Sequence, residues 1–162
     1  MAGAFLGPLR RAIHALKYGG DTSVADLLAS GLGEVPPVDA LAYVPAPPRR
    51  RRARGYDHAA LLARSLGHRL GIPVAAVLGR SVRDLHPQAG GSRSEREGNV
   101  SGTFVVRADP PVRLILVDDV ITTGATVAAA ARPLVALGCL VHVAVIAATP
   151  LQRAPPIPEA WS

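Results

Sequence analysis

The sequence predicts an α/β domain with a mostly parallel sheet flanked by helices. Two observations carry this. Short apolar runs alternate with stretches of helical periodicity along most of the chain, the order that builds crossover connections between parallel strands. The run Val112–Asp119 ("VRLILVDD") is apolar at successive positions before two aspartates, as expected of a strand covered on both faces. A chain of 162 residues that is 49% apolar suits one such domain with its own core.

The elements follow in order. Leu6, Leu9, Ile13 and Leu16 recur every three to four residues and make one face of a helix, with Arg10, Arg11, His14 and Lys17 on its other faces. Pro8 falls in its first turn and Gly19-Gly20 stops it. Asp21 or Thr22 caps a second helix with Val24, Leu27, Leu28 and Gly31 on one face. Asp39–Pro47 ("DALAYVPAP") is a short buried strand broken by Pro45 and Pro47. After an arginine run, Asp57 caps a third helix whose inner face is Ala59, Leu62, Ala63, Leu66 and Leu70, ended by Gly71. Ile72–Leu78 is the next strand, Arg80–Gly102 a polar segment too long for an inert connection, and Thr103–Val106 a brief strand. Behind the aspartates a helix spans about Gly124–Leu137, with Val127, Ala130, Ala131 and Leu134 inward and Pro133 inside it. Cys139–Ala148 is the last strand, with Cys139 and His142 in the core. Residues 1–149 form the domain, and 150–162 a proline-rich tail without periodicity.

Composition narrows the function. The net charge of +6 favours anionic partners, although an Arg-, Ala-, Gly- and Pro-rich chain is also what a GC-rich genome yields. Lys17 is the sole lysine, so the positive charge is arginine, which suits bidentate phosphate contacts. One cysteine, Cys139, permits neither an intrachain disulfide nor a Cys-x-x-Cys metal site and fits a reducing cytoplasm. No signal peptide or membrane span is expected.

The chemistry concentrates in Leu114–Val127, "LILVDDVITTGATV". Ligands of open α/β sheets bind beyond the carboxyl ends of strands. Asp118 and Asp119 fall at such an end, and the following turn opens a helix, where unpaired N–H groups and the helix dipole accept an anion. Gly124 permits close backbone approach, while Thr122, Thr123 and Thr126 add hydroxyl donors. Carboxylates beside an anion cup suit one ligand with two ends, hydroxyls for the acids and a phosphate for the cup. A sugar phosphate fits. No Gly-Lys-Ser/Thr, no Gly-x-Gly-x-x-Gly after a strand and no Gly-x-Ser-x-Gly elbow occurs, which excludes the P-loop, Rossmann and α/β-hydrolase alternatives.

The run Val117–Thr126 resembles the phosphoribosyl-pyrophosphate (PRPP) motif of type I phosphoribosyltransferases. Over most of Leu6–Ala148 the chain resembles the ComF/GntX-like branch, through "IHALKYGGD", "VPAPPRRRRARGYDHAALLARSLGHRLGIPV" and "RSVRDLHPQAGGSRSEREGNVSGTF". The resemblance implies a type I phosphoribosyltransferase-like fold, with PRPP losing pyrophosphate to an acceptor. It implies that Asp118 and Asp119 bind ribose, that Thr122, Thr123, Gly124, Ala125 and Thr126 cradle the 5′-phosphate, and that the loop Val44, Pro45, Ala46 and Pro47 is placed like the pyrophosphate loop. Arg93 or Arg96 would close over the pyrophosphate, or else belong to a solvated loop face. Mg²⁺ would arrive bound mainly through PRPP, with no protein metal ligands expected. A homo-oligomer is a further expectation.

Departures from the family pattern bear on function. Members often begin with a cysteine-rich zinc module, and this chain starts where that module would end. The usual Arg-Gly-Phe-Asn-Gln reads Arg54-Gly55-Tyr56-Asp57-His58, which leaves Asp57 as either a helix cap or a contact residue. Thr122 stands where purine-salvage relatives often carry an acid, so a purine acceptor is disfavoured. Arg49, Arg50, Arg51, Arg52 and Arg54 read as a solvated basic turn or as a contact to single-stranded DNA, with only Tyr56 nearby for base stacking. The alternative to an enzyme is therefore a non-enzymatic accessory factor in DNA uptake, binding nucleic acid or DNA-uptake proteins.

Overall fold

The computed structural model describes residues 3–4, 7–18, 23–31, 35–81 and 103–148. Their elements are β1 (Gly3–Ala4), α1 (Gly7–Tyr18), α2 (Val24–Ser30), β2 (Ala40–Tyr43), α3 (Pro48–Arg54), α4 (His58–Leu70), β3 (Leu78–Arg80), β4 (Phe104–Val106), β5 (Arg113–Ile121), α5 (Ala125–Ala136) and β6 (Leu140–Ala148). Four strands form a parallel sheet in the order β1-β6-β5-β2, and β3 and β4 pair antiparallel in a separate ribbon. The α/β class and the parallel sheet are as the sequence predicts.

The central strand β5 explains the two-sided core. Leu114 and Leu116 face α5 and the β3–β4 ribbon, packing with Val127, Ala130, Leu134, Val77 and Phe104. Ile115 and Val117 face α1, α2 and α4, packing with Ile13, Leu16, Leu28, Leu62 and Leu66. Strand alternation makes both faces of β5 apolar, which is why its sequence shows no polar alternation. The start of the β2–β5 pairing is pinned by Arg113, whose guanidinium donates to Asp39 Oδ1 at 2.7 Å and whose N–H donates to Asp39 Oδ2 at 3.0 Å.

Several expectations need correction. Leu27 is 69% exposed, and α2 instead buries Ala25, Leu28 and Ala29. Alanines on that face let α2 lie close against α4, so the small side chains, not the large Leu27, define the contact. The cap position of α2 is Ser23, and Asp21 and Thr22 lie outside the described residues. The expected strand Ile72–Leu78 shrinks to one parallel bridge, Leu41 with Val74, because the chain then leaves the sheet to build β3. His142 is exposed, since the helix layer covers that face of β6 only from Ala144 onward. The arginine run is not a turn but the helix α3, begun by Pro48 at its first position and closed by Gly55 at φ 81°. Pro133 does not break α5.

Gly67 makes one crossing possible. A Cβ there would sit 2.6 Å from the Ile72 carbonyl oxygen and 3.0 Å from Val74 Cγ2. On an exposed helix, Gly→Ala stabilises by about 1 kcal/mol. Gly67→Ala reverses that sign, because the backbone at Ile72 must shift and the Leu41–Val74 bridge with it. The expected loss is about 1–3 kcal/mol, read as a lower denaturant midpoint at unchanged m-value.

Candidate functional site

β2 ends its pairing at Tyr43 opposite Val117, and Val44 N–H donates to Val117 O at 3.0 Å. Beyond that level β5 runs on alone on its β2 side. Asp118 and Asp119 occupy this projecting end, and β5 pairs with β6 for two further residues, Val120 and Ile121, before the turn. The aspartates thus precede the strand's last residues rather than ending it.

Strand alternation starts the two side chains on opposite faces, yet their carboxylates stay close, with an oxygen of each within 4.8 Å of the other and of a His58 ring nitrogen. Asp119 turns to the α1 and α4 side, where the Lys17 ammonium contacts its Oδ2 and His58 Nε2 lies 3.6 Å from its Oδ1. Asp119 is 4% exposed, a position an ionised carboxylate holds only with cationic or hydrogen-bonding partners. Burial alone would push the Asp119 pKa up, but the hydrogen bond and charge of His58 and the charge of Lys17 overcome it and hold the group low, at about 2. Asp118 forms no ion pair among the described residues, and its Oδ1 accepts the Asp119 N–H at 2.9 Å. Burial, and then the neighbouring Asp119 charge, push its pKa up to about 7. Two adjacent acids are thereby split into one fixed anion and one group that titrates near neutrality.

His58, Asp118 and Asp119 each offer a donor atom within 4.8 Å of the others. A dication there would compete with the Lys17 ammonium already on Asp119, so these residues do not fit a dedicated metal cage.

After Ile121 the chain turns through the exposed Thr122 and Thr123 to Gly124, whose φ of 79° ends the turn and caps α5. Ala125 N–H points to Thr123 Oγ1 at 3.4 Å, and Thr126 is exposed in the first helical turn. All three threonines are thus exposed around the helix start.

The loop Val44–Pro47 is fixed from three directions. Asp57 caps α4 by accepting Ala59 N–H at 3.2 Å through Oδ1, and its other oxygen accepts Ala46 N–H at 2.8 Å. Arg80 Nε donates to Pro45 O at 2.9 Å, with its guanidinium 4.5 Å from the centre of the Phe104 ring. Asp57 is thus the helix cap, as one of its two sequence readings has it, and it also ties the loop to that helix. Arg49–Arg52 are exposed on α3, whereas Arg54 is half-buried, with Nη1 3.1 Å from His58 Nδ1 and its guanidinium 4.8 Å from the Tyr18 ring centre. Arg93, Arg96 and His86 lie outside the described residues. The sequence assigns no role to Lys17 or Arg80 and marks His58 only as a departure from the family pattern paired with Asp57; the one signal for Lys17 is that it is the sole lysine.

A parallel sheet carrying paired acids into a threonine- and glycine-rich helix start defines the phosphoribosyltransferase fold class. A solved glutamine PRPP amidotransferase from B. subtilis, complexed with ADP and GMP, covers 83% of this chain at a TM-score of 0.53 and 20% identity, with 26% of its own length matched. The chain is also similar to proteins named for competence and DNA utilization. It is 32% identical over 144 residues to the "DNA utilization protein YhgH" of Salmonella typhi, and 36% identical over 92 residues to "Competence protein F" of Haemophilus influenzae. Those matches cover 81% and 54% of this chain. The chain spans 63% and 40% of those two relatives' lengths. No protein-family model matches the chain. Among the described residues no helix is long and apolar enough to cross a membrane.

Asp118 carries a pH prediction. A carboxyl whose folded pKa of about 7 exceeds its ordinary 3.8 binds its proton more tightly when folded. It therefore weakens the fold progressively as pH rises between those values. Asp118→Asn removes this penalty, so its melting temperature should exceed the wild type's by several degrees at pH 8. The gain should shrink as pH falls toward 4. Equal melting temperatures at pH 8 would show that Asp118 is not buried as an acid.

Proposed function

We propose that the chain binds PRPP at the carboxyl end of β5 and transfers phosphoribose to an acceptor with loss of pyrophosphate. The observation that supports this best is the succession of buried acids, two strand residues and an exposed Thr122–Thr126 turn opening on Gly124 at positive φ. In this reading Asp118 and Asp119 take the ribose hydroxyls, with Asp118 the more accessible because Lys17 and His58 already hold Asp119. With its pKa pushed up to about 7, Asp118 can either donate to or accept from a ribose hydroxyl near neutral pH. Thr122, Thr123 and Thr126, with the backbone around Gly124 and Ala125, receive the 5′-phosphate. The loop Val44, Pro45 and Ala46, tied down through Asp57 and Arg80, borders the pyrophosphate. Mg²⁺, brought by PRPP, supplies charge neutralisation of the leaving group. The chain's own contribution is position: a ribose held between a fixed anion and a fixed loop needs little reorganisation as charge develops. A reducing cytoplasm fits this reading.

A second reading, a non-catalytic factor in DNA handling, has its own support. The printed names of the relatives concern competence and DNA utilization, and α3 presents Arg49–Arg52 to solvent along one short helix.

Calorimetry separates the two. Wild-type chain should bind PRPP with Mg²⁺, and Asp118→Asn combined with Asp119→Asn should weaken binding at least about tenfold. No heat at millimolar PRPP, or unaltered binding by the double variant, would overturn the first reading. For the second, the affinity for single-stranded DNA should fall with salt at a log–log slope near −0.7 per phosphate neutralised. Arg49→Ala, Arg51→Ala and Arg52→Ala together should flatten that slope.

A further inference from the structure

Arg54 closes the arginine run but differs from the residues before it. Arg49–Arg52 are exposed, whereas Arg54 is half-buried at the last position of α3. Its guanidinium lies 4.8 Å from the centre of the Tyr18 ring, and that ring packs on His14 with the ring centres 4.7 Å apart. Two residues on, the Tyr56 hydroxyl donates to the Leu16 carbonyl oxygen. The end of α3 is thus tied to the end of α1 on both sides of Gly55.

From this position Arg54 Nη1 reaches His58 Nδ1 at 3.1 Å. A guanidinium only donates, so Nδ1 is the accepting nitrogen, and the proton of the neutral imidazole sits on Nε2. That nitrogen faces Asp119 Oδ1 at 3.6 Å. The distance is long for a hydrogen bond, but an N–H dipole there attracts the carboxylate, whereas a bare nitrogen would repel it. Both edges of the ring therefore select the same tautomer and the same orientation. Turning the ring over would set carbon edges against both partners. His58 is buried, so its ring nitrogens depend on these protein partners.

We propose that Arg54 is a positioning residue for the acid pair, acting through His58: its guanidinium sets the tautomer and orientation of the ring, and the ring in turn fixes Asp119. The Lys17 ammonium holds the other oxygen, Oδ2, so the carboxylate is set from both sides. Removing Arg54 leaves the Lys17 contact in place but frees the ring to turn or to carry its proton on Nδ1. Either change alters what Asp119 meets at Oδ1. Asp118 feels it too, because a carboxylate oxygen of each acid and a His58 ring nitrogen all lie within 4.8 Å of one another. The effect on the acids stands on these contacts, and only its consequence for ribose binding rests on the PRPP reading.

The test begins with the full chain without PRPP. NMR of the His58 ring nitrogens, at a pH where the imidazole is neutral, should show a protonated Nε2 and an accepting Nδ1 coupled across the hydrogen bond to the Arg54 guanidinium. In Arg54→Ala the coupling should vanish, the Nδ1 signal should move to that of an unbonded nitrogen, and the Asp119 carboxyl carbon signal should shift with it. Lys17→Met, which also takes a cation from Asp119, should leave the Nδ1 coupling in place. PRPP with Mg²⁺ is then titrated by calorimetry. Arg54→Ala and His58→Ala should each weaken binding several-fold, and the double variant should match His58→Ala to within about twofold. His58→Gln, which keeps an acceptor and a donor, should recover most of what His58→Ala loses. Circular dichroism establishes that each variant is folded, and where His58→Ala is not, the ring and carboxyl signals decide. A wild-type ring with its proton on Nδ1, ring or Asp119 signals unmoved in Arg54→Ala, or additive losses in the double variant would each overturn the proposal. A ring and carboxyl that respond to Arg54 in a chain that binds no PRPP would remove the phosphoribosyl reading and leave the positioning of Asp119 in place.

Discussion

A carboxylate nearly withdrawn from water at the end of the central strand is the constraint around which this corner of the molecule is arranged. Asp119 cannot remain charged at 4% exposure without partners. Those partners come from two different helices, Lys17 near the end of α1 and His58 at the start of α4. The helices must therefore converge on β5 at one height. That convergence fixes their remaining contacts: Ile13 and Leu16 beneath Lys17, and Ala59, Leu62, Ala63 and Leu66 behind His58, all buried. The charge thus sets where α1 and α4 end and begin, and the apolar faces supply the stability that holds them there.

The same convergence carries the neighbouring loop. His58 can face Asp119 only if α4 starts at that point, and α4 starts there because Asp57 caps it. The second oxygen of Asp57 is then left to accept from Ala46, which ties the Val44–Pro47 loop to the helix that holds the acid. One short stretch, Asp57-His58, sets a helix start, a counter-charge and a loop position together. An amide pair at these positions could cap the helix, but the single carbonyl oxygen of an asparagine could not also accept from Ala46, and a glutamine would bring no imidazole to Asp119.

What the sequence made legible follows from range. Leu114–Asp119 was readable because an unbroken apolar run before two acids has few structural explanations, and the Asp57 cap was readable because capping is local. The failures are non-local. A lysine on a helical wheel falls on an outer face whether it meets solvent or, like Lys17, reaches along the protein to a buried acid. Val74 and Leu78 lie in one apolar run, yet only Val74 meets the sheet, since periodicity does not say which edge is available. Leu27 read as core because its spacing puts it on one face with Val24, Leu28 and Gly31, whereas α2 buries Ala25, Leu28 and Ala29. Arg49–Arg52 read as a solvated basic turn because the run has no apolar periodicity, whereas Pro48 at the first position and Gly55 at the end make it a short exposed helix.

The arrangement also resolves the conflict posed by placing acids beside an anion cup. Val120 and Ile121 continue the strand between Asp119 and Thr122, and at about 3.3 Å per residue they set the two charges' domains apart by roughly two strand steps. Screening completes the separation. Asp119 is paired with the Lys17 ammonium and faces His58, and burial pushes the Asp118 pKa up to about 7, so the pair presents less than two negative charges to the cup. The threonine turn keeps its own donors, which add no charge of either sign. A site built this way discriminates by hydroxyl and phosphate spacing more than by net charge, since the charges it does carry are already paired within the fold.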